Sequence, residues 1–145
     1  MKTVAGVLSD KGSEVFSIRP DATVLEALQV LADKNIGAVV VVEEDGRLSG
    51  ILSERDYARK VILLDRSSAE TLVSEIMTAD VKTVSPSATV RACMEEMTRY
   101  RIRHLPVVED GELKGVVSIG DVVEAMINEL QALVDQLDGY IRSSP

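Results

Sequence analysis

The sequence predicts an α+β protein of two β-α-β-β-α repeats packed with pseudo-twofold symmetry, followed by a C-terminal helix. Three observations carry that prediction. The segment Gly50-Ile-Leu-Ser-Glu-Arg-Asp56 returns as Gly115-Val-Val-Ser-Ile-Gly-Asp121. Pro20-Asp-Ala-Thr23-Val24 returns as Pro86-Ser-Ala-Thr89-Val90, 66 residues later. Between these landmarks the apolar residues switch from helical three-and-four spacing to the unbroken runs of strands covered on both faces.

The spacing of 66 holds through Ile36 and Ile102 and falls to 65 from Gly46 and Gly111 onward. One residue is therefore missing from the second hairpin turn, where loss is cheap. Upstream, Val4, Val7 and Leu8 mirror Val73, Ile76 and Met77 at a spacing of 69, which assigns three extra residues to a Ser9–Glu14 loop. The expected division is a first repeat over 1–66, a second over 67–127, and a helical extension with a tail over 128–145.

Within each repeat the elements follow in order. Val15–Ile18 and Val81–Val84 read as short strands, each closed by a proline two residues on. Thr23 and Thr89 are N-cap candidates; Thr23 with Glu26 makes a capping box that the second copy lacks. Val24, Ala27, Leu28, Leu31 and Val90, Cys93, Met94, Met97 mark one-sided amphipathic helices, with Cys93 as core packing. Ala38–Val42 and Leu105–Val108 read as central strands. Asp45-Gly46 and Asp110-Gly111 turn them back into Leu48–Leu52 and Leu113–Val117. Each Ser-x-x-Asp then opens a helix. Asp65-Arg-Ser-Ser68 reads as the linker between copies. Val123, Met126, Leu130, Leu133, Leu137 and Tyr140 form a heptad-like seam, open equally to its own domain or to an oligomer; the Arg142-Ser-Ser-Pro tail is expected to fray.

One repeat is too small to bury its sheet alone, so the two are expected to pack face to face with clefts along the shared seam. Composition narrows the function. The net charge is −8 and aromatics make up 3% with no tryptophan, which disfavours nucleic acid and anionic membranes as partners. A single cysteine excludes an internal disulfide and a cysteine-based zinc cluster. No apolar run approaches 18 residues, so a cytoplasmic protein is the expectation.

Ser53-x-x-Asp56 and Ser118-x-x-Asp121 are the leading candidate site residues. Either alone is explained as a capping box. Two copies in symmetric halves favour a ligand, because a carboxylate beside a helix N-terminus can accept both hydroxyls of a ribose. Arg103 and His104, ahead of Leu105-Pro106, stand where the first copy has Gly37 and Ala38; the basic pair could hold a phosphate, and the asymmetry predicts two unequal sites. Arg55 could serve a phosphate in the weaker site, or form an i,i+4 ion pair. His104 lacks a partner for acid–base catalysis, no metal site is legible, and the glycines form no phosphate-binding fingerprint. No enzyme activity is expected.

With Ile36-Gly-Ala-Val-Val-Val-Val, Arg101-Ile-Arg-His-Leu-Pro-Val-Val and the two Gly-bounded Ser-x-x-Asp segments in view, the chain resembles a tandem pair of cystathionine β-synthase (CBS) domains, a regulatory Bateman module. Through Ser53–Lys60 it is similar to stand-alone bacterial CBS-pair proteins. The resemblance implies AMP, ADP or ATP as ligand, more rarely NAD or S-adenosylmethionine. It implies Asp121 on the ribose with Ser118 assisting, and Arg103 and His104 on phosphate. Val116, Ile36 and Ala38 would flank adenine, with the Lys11–Phe16 backbone reading its edge and Pro106 nearby. The second site would use Asp56, Ser53 and Ile51 with Val81, Ile102 and His104. A homodimer and a regulated protein on another chain complete what it implies; a ligand-free dimeric scaffold is the alternative.

Overall fold

The computed structural model describes residues 2–143, and these form two compact units that cut across the sequence repeats. One unit contains residues 14–83 and 108–114; the other contains 2–13, 84–107 and 115–143.

The first of these holds β1 (Ser17–Ile18), α2 (Val24–Lys34), β2 (Ala38–Val42), β3 (Leu48–Ser53), α3 (Glu54–Tyr57) and α4 (Val73–Ile76). The strands lie in the order β1-β2-β3, with β1 parallel and β3 antiparallel to β2. Val24, Ala27 and Leu31 of α2 pack on Val39, Val41 and Leu52 of the sheet, and on Val73 and Ile76. The Thr23 hydroxyl accepts from Glu26 N–H at 3.2 Å and Glu26 returns the bond, closing the expected capping box. Beyond α3 the chain makes one π-helical turn, Ala58–Ile62, which keeps Val61 in the core.

The second unit holds α1 (Val4–Lys11), α5 (Val90–Tyr100) and α6 (Ile119–Ser143), with most of the hairpin formed by β4 (His104–Glu109) and β5 (Glu112–Ser118). Its core is Val4, Val7 and Leu8 from α1, Val90, Cys93 and Met97 from α5, Leu105, Val107 and Val117 from the hairpin, and Val122 and Ala125 from α6. Asp110 and Gly111 both have positive φ, 52° and 79°, the mirror-image turn whose twist suits a hairpin.

The leading helices are therefore exchanged between the sequence repeats. Val4 N–H donates to the Ala88 carbonyl and Val90 N–H to Lys2, at 2.8 and 3.0 Å. Val73 N–H donates to Ala22 and Val24 N–H to Thr71, both at 2.8 Å. Glycine at the centre of the returning strand makes the exchange possible. A Cβ on Gly115 would meet Leu8 Cδ2 at 2.8 Å, and one on Gly50 would meet Met77 Sδ at 2.6 Å.

Several expectations are corrected. The Ser9–Glu14 segment is helical as far as Lys11, because α1 continues until Gly12, with φ 95°, caps it by donating to Leu8. Its counterpart α4 stops at Ile76, because Met77 turns extended and Thr78 bridges to Ile51. The strand expected over Val15–Ile18 shortens to Ser17–Ile18, and that over Val81–Val84 reduces to one parallel bridge from Val84 to Val107. The tail does not fray at Arg142: α6 runs through Ser143, and Ser144 and Pro145 lie outside the described residues. Met126 faces its own core, which removes it from the expected seam.

Candidate functional site

The end of β5 sets the geometry of one half-site. Ser118 leaves the strand as the N-cap of α6: its Oγ accepts from Asp121 N–H at 3.1 Å, and its N–H donates to Asp121 Oδ2 at 2.8 Å. This is a reciprocal capping box, so the capping explanation is satisfied here. The greater length of α1 then adds a partner. Lys11 Nζ reaches Asp121 Oδ2 at 2.6 Å and the Val116 carbonyl at 2.9 Å.

These groups act on the carboxylate in opposite directions. Burial pushes the Asp121 carboxyl up; the Lys11 ammonium together with the Ser118 N–H and hydroxyl outweighs it and holds it below the ordinary aspartate value. Both the Lys11 and the Ser118 N–H bonds fall on Oδ2. An ionised carboxylate has about four acceptor positions, so those of Oδ1 are left for an incoming donor pair.

Arg103 is brought to the same place by the backbone. Arg101 ends α5 in the left-handed region at φ 54°, and the Arg103 carbonyl then accepts Ile119 N–H at 2.8 Å. The Arg103 side chain is exposed and makes no hydrogen bond or ion pair among the described residues. A hollow of about 130 Å³ opens beside Lys11 and Asp121, lined also by Lys2, Asp10, Glu124 and Asn128. It falls below the roughly 300 Å³ at which small-molecule pockets begin.

The other unit repeats the backbone of this half-site with different side chains. Asn35 ends α2 at φ 54°, and the Gly37 carbonyl accepts Glu54 N–H at 3.1 Å, so Gly37 stands where Arg103 does. Ser53 caps α3 with the same box, its N–H donating to Asp56 Oδ2 at 3.0 Å. Asp56 differs from Asp121 in how fully it is bonded. Its Oδ2 also takes the Ser53 hydroxyl at 3.1 Å, while Oδ1 takes Thr78 Oγ1 at 3.2 Å and Lys60 Nζ at 3.1 Å. All four acceptor positions are used within the chain.

The CBS-domain family profile matches residues 4–63 and again 73–128. The chain belongs to the CBS-domain family. This CBS pair is 41% identical over 148 residues to the mitochondrial CBS domain-containing protein CBSX3 of Arabidopsis thaliana, covering 97% of this chain and 72% of that one. Among solved structures it is similar to the CBS domain NE2398, with 46% identity, a TM-score of 0.83, and coverage of 87% and 98%. It is also similar to the CBS-domain pair of protein MJ0100 solved with 5′-methylthioadenosine and S-adenosyl-L-methionine, with 25% identity, a TM-score of 0.79, and coverage of 89% and 98%.

The candidate residues of the CBS pair divide evenly between the units. Lys11, Ile102, Arg103, His104, Pro106, Val116, Ser118 and Asp121 fall in one; Phe16, Ile36, Ala38, Ile51, Ser53, Arg55, Asp56 and Val81 fall in the other. Within the first set the structure gathers Lys11, Arg103, Val116, Ser118 and Asp121. Pro106 is instead buried in β4, its carbonyl taken by Val84 N–H at 3.0 Å. In the second set both backbone groups of Ile51 are bonded to Thr78, at 3.0 and 2.9 Å, and Phe16 lies under the Lys34 ammonium at 5.1 Å.

Two functional contacts escaped sequence reading. Lys60 stands at i+4 from Asp56, a spacing that signals the ion pair. Thr78 meets Asp56 across 22 residues of chain, and no local signal announces it. Among the described residues no group of histidine, cysteine, aspartate or glutamate could hold a metal ion, and no helix is long and apolar enough to cross a membrane.

Proposed function

We propose that this CBS pair is a regulatory module that senses an adenine nucleotide, AMP, ADP or ATP before NAD or S-adenosylmethionine, and performs no chemistry of its own. CBS-domain-only proteins are typically regulatory, and a similar pair has been solved with adenosine compounds. The observation that carries the reading is the inequality of the two carboxylates. Asp121 keeps acceptor positions on Oδ1, which suit the two hydroxyls of a ribose, and the exposed Arg103, tied by its carbonyl to Ile119 two residues before Asp121, supplies a charge suited to a phosphate. Asp56 is saturated by Ser53, Thr78 and Lys60, and Gly37 offers no charge. The Asp121 half-site is thus the ligand-bearing one. Ligand would act on a regulated protein by biasing the arrangement of repeats or of subunits in a homodimer.

A second reading, favoured by the saturation of Asp56, is a ligand-free dimeric scaffold in which both boxes serve only as caps. A thermal-shift screen with AMP, ADP, ATP, NAD and S-adenosylmethionine separates the two. At about a hundredfold excess over Kd a ligand adds roughly 2.7 kcal/mol, a rise of about 5–10 °C for a chain of this size. No rise with any of the five would leave the scaffold.

A further inference from the structure

Helix α6 outruns the unit it belongs to. Val122 and Ala125 are buried and Met126 packs on the core, yet from Leu130 to Arg142 every residue is exposed on every face. A helical stretch of about a dozen residues is marginal in water without packing, so this one calls for a partner.

The exposed apolar residues of α6 include a strict heptad. Val123, Ile127, Leu130, Val134, Leu137 and Ile141 alternate spacings of four and three, and they are 39%, 60%, 63%, 48%, 54% and 69% exposed. This places Ile127, Val134 and Ile141 at the a positions and Val123, Leu130 and Leu137 at d. Branched residues at a with leucine at d are the combination that favours two parallel strands. Val123, Leu130 and Leu137 remain from the seam expected from sequence, while Ile127, Val134 and Ile141 replace Met126, Leu133 and Tyr140, because Met126 turns into the core.

Charge decides the orientation. The e positions are Glu124, Gln131 and Asp138, while the g positions are Met126, Leu133 and Tyr140. A parallel pair sets each e residue against an apolar g residue. An antiparallel pair sets e against e and confronts Glu124 with Asp138. The six seam side chains offer on the order of 600 Å² per chain, and Leu133 and Tyr140 extend this toward the roughly 800 Å² per partner of a standard interface.

We propose that α6 pairs with α6 of a second copy of this chain as a parallel, in-register, two-stranded coiled coil over Val123–Ile141. Residues of α6 alone carry this inference, which stands whether or not the nucleotide reading holds.

The test uses the full chain in sedimentation equilibrium across a dilution series. The expected result is a dimer whose dissociation constant rises at least about a hundredfold in Leu130→Asp, since the change puts two facing charges in an apolar seam. A monomer at all concentrations, a trimer or tetramer, or an unchanged constant in the variant would overturn the proposal. Leu130 is exposed within its own chain, so circular dichroism of the variant should lose no more than the helical signal of α6 beyond Leu130. Orientation is read separately by Ile141→Cys: oxidation should join two such chains, since in register each meets its counterpart. If it joins chains only when mixed with Val123→Cys, some 27 Å along the helix, the pair is antiparallel and the proposal fails. Native Cys93 is fully buried and does not compete.

Discussion

Lys11 Nζ and Asp121 Oδ2 lie 2.6 Å apart, although 110 residues separate them in the chain. The contact exists because α1 is longer than its counterpart α4 and belongs to the same unit as the start of α6. It makes the aspartate both a structural anchor and a partly occupied acceptor.

The pair gives stability a defined acid limb. The Asp121 carboxyl titrates below its ordinary value of 3.8 in the folded chain, so its contribution is complete above 3.8 and is lost as pH falls through the lower folded value. In Lys11→Met the burial that raises the carboxyl remains while the ammonium that lowers it is gone. The Asp121 carboxyl should then titrate at higher pH in a carbon-detected NMR titration, and acid unfolding should begin earlier. An unmoved resonance would mean that Lys11 does not hold the carboxylate in solution.

Asp121→Ala should weaken binding of the nucleotide found by the screen about tenfold or more, because each charge-assisted bond to the ribose contributes roughly 1.5–3 kcal/mol. Calorimetry with the 2′-deoxy analogue on the wild-type chain should show a loss in the same direction. Equal affinity in both experiments would remove Asp121 from the site.

Asp56→Ala should instead act on folding. It strips partners from Ser53, Thr78 and Lys60 at a carboxylate 13% exposed, and a cost of about 2–4 kcal/mol follows from roughly 0.5–1 kcal/mol for each of the four bonds lost. Chemical denaturation measures it. A variant as stable as wild type would show that this box contributes nothing to folding.

Gly50→Ala and Gly115→Ala should differ. The new methyl at 115 meets the movable end of Leu8, whereas at 50 it meets Met77 and also the Thr78 carbonyl at 3.0 Å, which is fixed by its bridge to β3. Overpacking at residue 50 should cost about 1–3 kcal/mol, and at residue 115 clearly less. The order of the two denaturation midpoints is the measurement.

Cys93 should resist alkylation in the native chain. It is fully buried, and burial, with the Glu96 charge adding to it, pushes the thiol above its ordinary value, so little thiolate exists to react. Modification with a thiol-selective reagent should become rapid only in denaturant. Fast labelling under native conditions would contradict the packing of α5.

The duplication, the helix stripes, the caps and the hairpin turns were legible in the chain itself, because periodicity, N-cap chemistry and Asp-Gly turns are local properties. Thr23 with Glu26, and Val90 with Cys93 and Met97, sit where their spacing placed them. Both Ser-x-x-Asp boxes were also visible, since their bonds span three residues. What three-dimensional folding alone decided is which of those boxes is full. Thr78 saturates Asp56 from 22 residues away, and Lys11 reaches Asp121 only because leading helices trade places between repeats. The same holds for the face of α6 that meets water, which turned on whether Met126 packs inward. Local spacing says what a residue is able to bond; only the packed chain says which neighbours arrive first, because contacts between distant segments depend on burial that no short window contains.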